Sequence, residues 1–145
     1  VIQRCMLMTT DPGDIVDRWA ISRLKVERLG DTHLDRLAIM QAELDKLKVL
    51  YPNVKWDYFC NLLYAANASI WSFESGLKSG KEVMGNSSYF FDESNRPALV
   101  NIGLCALLIR EFNALRIGIK NLLNATIGEG LQEVKGNHLS EVSNG

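Results

Sequence analysis

Apolar residues recur every three or four positions along most of this chain, which is the spacing of an amphipathic helix. The first such stretch begins at Asp11-Pro12, a pair that suits a helix N-terminus, because aspartate caps free backbone amides and proline fits the first turn. It ends at Gly30, since glycine commonly terminates helices. Its apolar positions are Ile15, Val16, Trp19, Ile21, Leu24, Val26 and Leu29.

A second helix is expected from Asp31, which is placed to cap it, to the neighbourhood of Tyr51-Pro52. Proline disfavours a helical conformation in the residue before it, so the helix should end there. The apolar stripe of this helix is regular and consists of Leu34, Leu37, Met40, Leu44 and Leu47.

Two longer helices follow, over about residues 54–78 and 97–125. Between them lies a stretch rich in glycine, serine and asparagine, which predicts a long loop over 79–95. Within the last helix, Gly103 and Gly118 are expected to permit close approach of another helix. The inner positions of the third helix are Trp56, Phe59, Cys60, Leu63, Asn67, Ile70, Trp71 and Glu74.

Two shorter and two longer helices joined mostly by tight turns predict an all-α fold, an antiparallel four-helix bundle-like domain with the two longer helices at the C-terminal end. The 145 residues suit one domain. We expect it to span residues 1–128, followed by a flexible C-terminal tail over 129–145. Only residues 1–8 are compatible with a strand.

Charge and composition narrow the function classes. A net charge of −1 gives no reason to expect nucleic acid or an anionic membrane surface as a partner. We find no continuous apolar run near the roughly 20 residues of a membrane span and no secretory signal, so a soluble cytoplasmic protein is expected. Three widely spaced cysteines and two isolated histidines predict neither disulfides nor a metal centre, and no cofactor is implied.

Several polar residues lie in line with the apolar stripes. They are Asp14, Asp17 and Lys25 on the first helix, Asn67 and Glu74 on the third, and Asn113, Arg116 and Lys120 on the fourth. A carboxylate such as Glu74 facing Arg116 and Lys120 would form a buried network, because buried charges require partners. Three interpretations remain open: a network that fixes helix register, a site for a small anionic ligand held by Arg116 and Lys120, or solvated side chains.

Three segments resemble a family of uncharacterised helical bacterial proteins. Residues 11–29 resemble its opening motif PGELVDKLTILEIKLERI, residues 67–74 resemble N-x-x-LW-x-x-E, and residues 110–124 resemble N-x-x-R-x-x-IK-x-x-IN. Members of that family are often encoded beside glycosyltransferases, and the resemblance implies no established activity. The motif positions are Asp14, Asp17, Lys25, Glu27, Arg28, Asn67, Trp71, Glu74, Asn113, Arg116, Lys120 and Asn124.

These patterns favour a non-enzymatic module that forms homo-oligomers or binds a small ligand. The alternative is a magnesium-dependent pyrophosphohydrolase of the all-α kind, which holds the ion with paired E-x-x-E and E-x-x-D motifs. Asp14 and Asp17 would supply one such pair, but the third and fourth helices lack the second. Catalytic residues are therefore unknown, and the sequence leans away from an enzyme.

Overall fold

The computed structural model describes residues 11–83 and 93–128, with the side chains of 81–83 and 95 excepted. This part of the chain contains four α-helices and no strand: α1 (Pro12–Leu29), α2 (Leu34–Leu50), α3 (Trp56–Val83) and α4 (Arg96–Ile127). Short 3₁₀ segments, Asp31–His33 and Glu93–Asn95, precede α2 and α4. The predicted all-α, four-helix fold is confirmed. The expected tail over 129–145 and the strand-compatible residues 1–8 lie outside the described residues.

The start of α1 follows the sequence prediction. The side chain of Asp11 accepts a hydrogen bond from the amide of Asp14, and Pro12 occupies the first turn. Gly30 ends the helix with a φ of 96°, a conformation that residues with a Cβ rarely adopt, and its amide donates to the carbonyl of Val26.

The predicted cap of α2 is wrong. Asp31 begins the 3₁₀ segment instead, and α2 starts at Leu34 without a side-chain cap. The 3₁₀ turn over Asp31–His33 takes the place of the first helical turn that the sequence predicts.

The predicted loop also changes, because α3 continues past residue 78 to Val83 and α4 begins at Arg96. The remaining residues of that loop, 84–92, lie outside the described residues. Helix persists through Gly76 and Gly80 since both face α4: a Cβ on Gly80 would lie 2.6 Å from Ile102 Cγ1, and one on Gly76 would lie 3.3 Å from the Cys105 sulfur. Tertiary packing thus overrides the weak helix propensity of glycine.

Close helix approach therefore occurs at other glycines than expected. Gly103 and Gly118 have open space where a Cβ would stand, with nothing within 4 Å. At Gly13, by contrast, a Cβ would lie 2.7 Å from the carbonyl oxygen of Lys120. This contact brings the first turn of α1 against the last turns of α4.

The core lies where α1 meets the other three helices. α1 packs against α2, α3 and α4, while α3 and α4 lie antiparallel along each other. Fully buried side chains from all four helices fill this space: Val16, Leu24, Leu44, Leu63 and Leu123. The two cysteines that the structure describes, Cys60 and Cys105, are buried free thiols.

α4 has an unusual outer surface. Its length and its mean hydropathy of 1.5 over an 18-residue window would suffice for a membrane span, although Cys105 in this part of the helix is buried against α3. The sequence criterion missed this helix, because it required an unbroken apolar run and the helix contains charged residues. A helix of this composition can also be part of a soluble protein, so the cytoplasmic location stays a prediction.

Candidate functional site

Asp17 lies at the point where α1, α3 and α4 meet. Its side chain is only 3% exposed. One carboxylate oxygen accepts a hydrogen bond from Asn67 Nδ2 at 2.8 Å, and the other accepts one from Arg116 Nη1 at 2.5 Å. Charged hydrogen bonds of this kind are stronger than neutral ones. Asp17 therefore links three helices through a single side chain.

Lys120 extends this group to the start of α1. Its ammonium nitrogen lies 3.5 Å from Asp14 Oδ1 and 3.9 Å from Asp17 Oδ2, and its side chain is 6% exposed. Arg18 pairs with Asp14 from the solvent side, with its Nε 2.9 Å from Asp14 Oδ2. The two carboxylates match Arg116 and Lys120 of α4 in number, and Arg18 adds one further positive charge at the surface.

Asn124 completes the group one turn further along α4. Its Oδ1 accepts a hydrogen bond from the amide of Gly13 at 2.7 Å. That amide belongs to the first turn of α1 and has no partner within its own helix. We refer to Asp14, Asp17, Asn67, Arg116, Lys120 and Asn124 as the Asp17 cluster.

Asn124 was missing from the polar residues that we selected by helical spacing. A signal for it existed, since it lies four residues after Lys120 and occupies a position of the resembled motif. The sequence did not show that this amide would cap another helix, because that role depends on how α1 crosses α4.

Three predicted residues lie apart from the cluster. Lys25 is exposed on α1, Asn113 is half-buried without a side-chain bond to the described cluster residues, and Glu74 is exposed. Glu74 instead borders a shallow cleft of about 300 Å³ with Trp71, Ser75 and Lys78.

The expected ion pair between Glu74 and the cations of α4 is therefore replaced by pairs with Asp14 and Asp17. Helical spacing put Glu74 on the same side of α3 as Asn67, and that periodicity is sound. Seven residues nevertheless correspond to about 10 Å along the axis, which moves the carboxylate away from Arg116. The ligand-binding role of all these residues stays a prediction.

A second polar group ties α1 to α3 at the surface. The hydroxyl of Tyr64 donates a hydrogen bond to Glu27, which lowers the pKa of that carboxyl and raises the pKa of the tyrosine. The guanidinium of Arg23 pairs with Glu27 at 3.1 Å and lies 4.5 Å from the centre of the Tyr64 ring. This group is exposed and internally paired, as expected for a helix-to-helix contact.

The polar groups of the Asp17 cluster are already paired with one another, which leaves few of them able to bind a ligand or a metal ion. In the described part of the chain, no buried side-chain nitrogen or oxygen lacks a hydrogen-bond partner. The carboxylates of Asp14 and Asp17 are already within ion-pair distance of cations, so a metal ion would have to displace them. No group of three or more His, Cys, Asp or Glu that could hold a metal occurs among residues 11–83 and 93–128.

No protein-family model matches this sequence, and no curated protein or solved structure matches it either. The resemblance to the helical bacterial family therefore rests on the three sequence motifs alone.

Proposed function

We propose that this chain is a non-enzymatic helical module that acts by associating with further copies of itself. The observation that carries the proposal is a contrast within the molecule. Buried polar groups satisfy one another, whereas large apolar side chains of α4 are left in water. Single exposed hydrophobic residues are ordinary, but contiguous patches mark interaction surfaces.

The charge balance of the Asp17 cluster supports a structural role for it. An anionic ligand would need cations that are free to receive it, and Arg116 and Lys120 already face carboxylates within 4 Å. Breaking such pairs in a buried place is costly, because an uncompensated charge is left behind. The cluster accordingly holds α1, α3 and α4 in register and leaves recognition to the outer surface.

The hydrolase alternative has a direct test that uses a matched variant. The chain is incubated with millimolar MgCl₂ and each nucleoside triphosphate, and release of phosphate and pyrophosphate is measured beside an Asp14→Asn variant. We expect no release above buffer for either protein. Turnover by the original chain that disappears in Asp14→Asn would overturn the non-enzymatic proposal. Equal turnover in both would identify a contaminating enzyme.

The association itself is tested by mass. Sedimentation or light scattering at about 100 µM should give a multiple of the 16.3 kDa chain mass. A single-chain mass at that concentration would overturn the proposal. Thermal shift with inorganic phosphate and with nucleotides tests the ligand-binding alternative, for which a saturable rise in Tm is the positive result.

A further inference from the structure

The large exposed side chains of α4 form one continuous face. Val100, Leu104, Leu107, Leu115 and Leu122 are each more than half exposed. Glu111 and Gly118, which lie between them on the same side of the helix, are exposed as well. We call these seven positions the α4 stripe.

The spacing of the α4 stripe has two properties that matter for pairing. Successive positions are 4, 3, 4, 4, 3 and 4 residues apart, which is an eleven-residue period repeated twice. Such a period corresponds to about 3.67 residues per turn, so the stripe runs almost straight along the helix. The spacing also reads the same from either end, with Glu111 at its centre.

From this symmetry we infer that α4 binds the α4 of a second copy in antiparallel orientation, about a twofold axis near Glu111. This inference rests on the proposed self-association and names the surface responsible. A twofold interface pairs the same patch on both copies, and an antiparallel pair requires a stripe with the same spacing in both directions.

Side-chain size fits this arrangement. With Glu111 on the axis, Leu104 stands opposite the partner's Gly118, where nothing lies within 4 Å of the position that a Cβ would occupy. Leu107 meets the partner's Leu115, and Val100 meets the partner's Leu122. The first of these pairs therefore sets a large side chain against open space, and the other two bring aliphatic side chains together.

Charge does not decide the orientation. The axis places Glu111 next to the partner's Glu111, and a parallel pair would do the same. The antiparallel orientation therefore rests on side-chain size, because a parallel pair would set Leu104 against Leu104 and leave Gly118 facing Gly118.

The area is that of a weak, reversible dimer. From Val100 to Leu122 the helix rises about 33 Å. A face of that length and about 10 Å in width measures about 330 Å² per copy, or about 660 Å² in total, which is below the roughly 1,000 Å² of a stable specific interface and requires the dimer to be sought at high protein concentration.

A lipid bilayer fits the same helix less well. Arg110 and Glu111 would lie near the centre of the hydrocarbon layer, where charged side chains are costly. The opposite face of α4 also carries the buried Lys120 and Asn124, which are bonded to α1. Only one side of α4 is thus apolar and exposed, which suits contact with another protein surface better than insertion into a bilayer.

The first experiment compares Leu107→Glu with Val49→Glu. Leu107 and Val49 are both exposed aliphatic residues on helices. Val49, however, lies on α2, in a second exposed apolar area. Sedimentation at about 100 µM should show the dimer lost in Leu107→Glu and kept in Val49→Glu, with unchanged helicity in circular dichroism. A dimer that is lost only in Val49→Glu, or in neither variant, overturns the α4 interface while the proposed self-association stands.

The second experiment tests orientation by oxidative cross-linking in a background in which Cys5 is replaced by serine. Glu111→Cys should form a covalent dimer with itself, because the axis brings the two residues together. Val100→Cys should not cross-link with itself, but should do so when mixed with Leu122→Cys. Self-cross-linking of both Glu111→Cys and Val100→Cys would indicate a parallel pair and overturn the inference.

A third measurement separates the bilayer from a second copy. The chain is floated with vesicles of phosphatidylcholine and of mixed phosphatidylcholine and phosphatidylserine. We expect it to remain in the dense fraction. A single-chain mass together with flotation that Leu107→Glu abolishes would assign the stripe to a membrane surface and overturn both proposals.

Discussion

At the scale of single residues, Asp17 is the polar group on which the structure depends most. It is 3% exposed and accepts hydrogen bonds from Asn67 on α3 and Arg116 on α4. Its removal leaves Arg116 without its carboxylate partner and leaves the buried Lys120 with Asp14 alone, which is the costly way to disturb a buried pair.

We therefore expect Asp17→Ala to lower the free energy of unfolding by about 3–5 kcal/mol in urea denaturation. Glu93→Ala is the control, because Glu93 pairs with Arg96 at the surface and both side chains are more than two-thirds exposed. That change should stay within about 0.5 kcal/mol. Similar small effects for both variants would mean that the charges of the Asp17 cluster are solvated in solution.

Cys60 supplies a prediction in alkaline solution. Burial raises the pKa of its thiol from 9.0 to about 11. The unfolded chain therefore loses this proton first, so the folded state keeps its full stability below pH 9 and loses part of it as the pH rises towards 11. The urea midpoint should fall between pH 8 and pH 10.5, and this fall should be smaller in Cys60→Ala than in the original chain. Equal falls would assign the alkaline sensitivity to other groups.

At the scale of helices, the approach of α1 to α4 is set by Gly13. A Cβ there would lie 2.7 Å from a backbone oxygen of α4 and 3.1 Å from the Asn124 side chain, so one helix would have to move. The same displacement would lengthen the hydrogen bond from the Gly13 amide to Asn124.

Gly13→Ala should accordingly destabilise the fold by about 1–3 kcal/mol, the usual cost of overpacking. Gly103→Ala is the matched control within a helix, since open space surrounds that position. It should leave stability unchanged or raise it by up to about 1 kcal/mol, because alanine favours helix over glycine. Thermal unfolding of both variants at one protein concentration measures the difference. A neutral Gly13→Ala would mean that α1 and α4 are further apart than described.

The helices show which features apolar periodicity predicts and which it does not. Apolar spacing predicted all four of them, and the cap by Asp11 was confirmed by its bond to the Asp14 amide. Boundaries were less predictable where tertiary contacts decide. Gly76 and Gly80 look like loop residues in isolation, but they remain helical because the side chains of Cys105 and Ile102 pack against their bare backbone.

At the scale of the whole molecule, association should appear in stability as well as in mass. When only the folded state dimerises, dilution favours unfolding. A hundredfold increase in protein concentration should then raise Tm by about 5 °C. In Leu107→Glu the Tm should not depend on protein concentration. A Tm that is independent of concentration in the original chain as well would argue against a dimer.

The sequence by itself determined the all-α fold, the four helices and the residue types of a buried polar group, because these follow from periodicity and from local capping chemistry. It placed Asp17, Asn67, Arg116 and Lys120 on inward faces. Only the tertiary structure decided that Asp17, and not Glu74, receives the cations of α4, since distance along a helix axis and the crossing of α1 over α4 are not local properties. It also decided that the α4 stripe stays exposed, because an apolar stripe in a sequence does not reveal which of its residues another helix will cover.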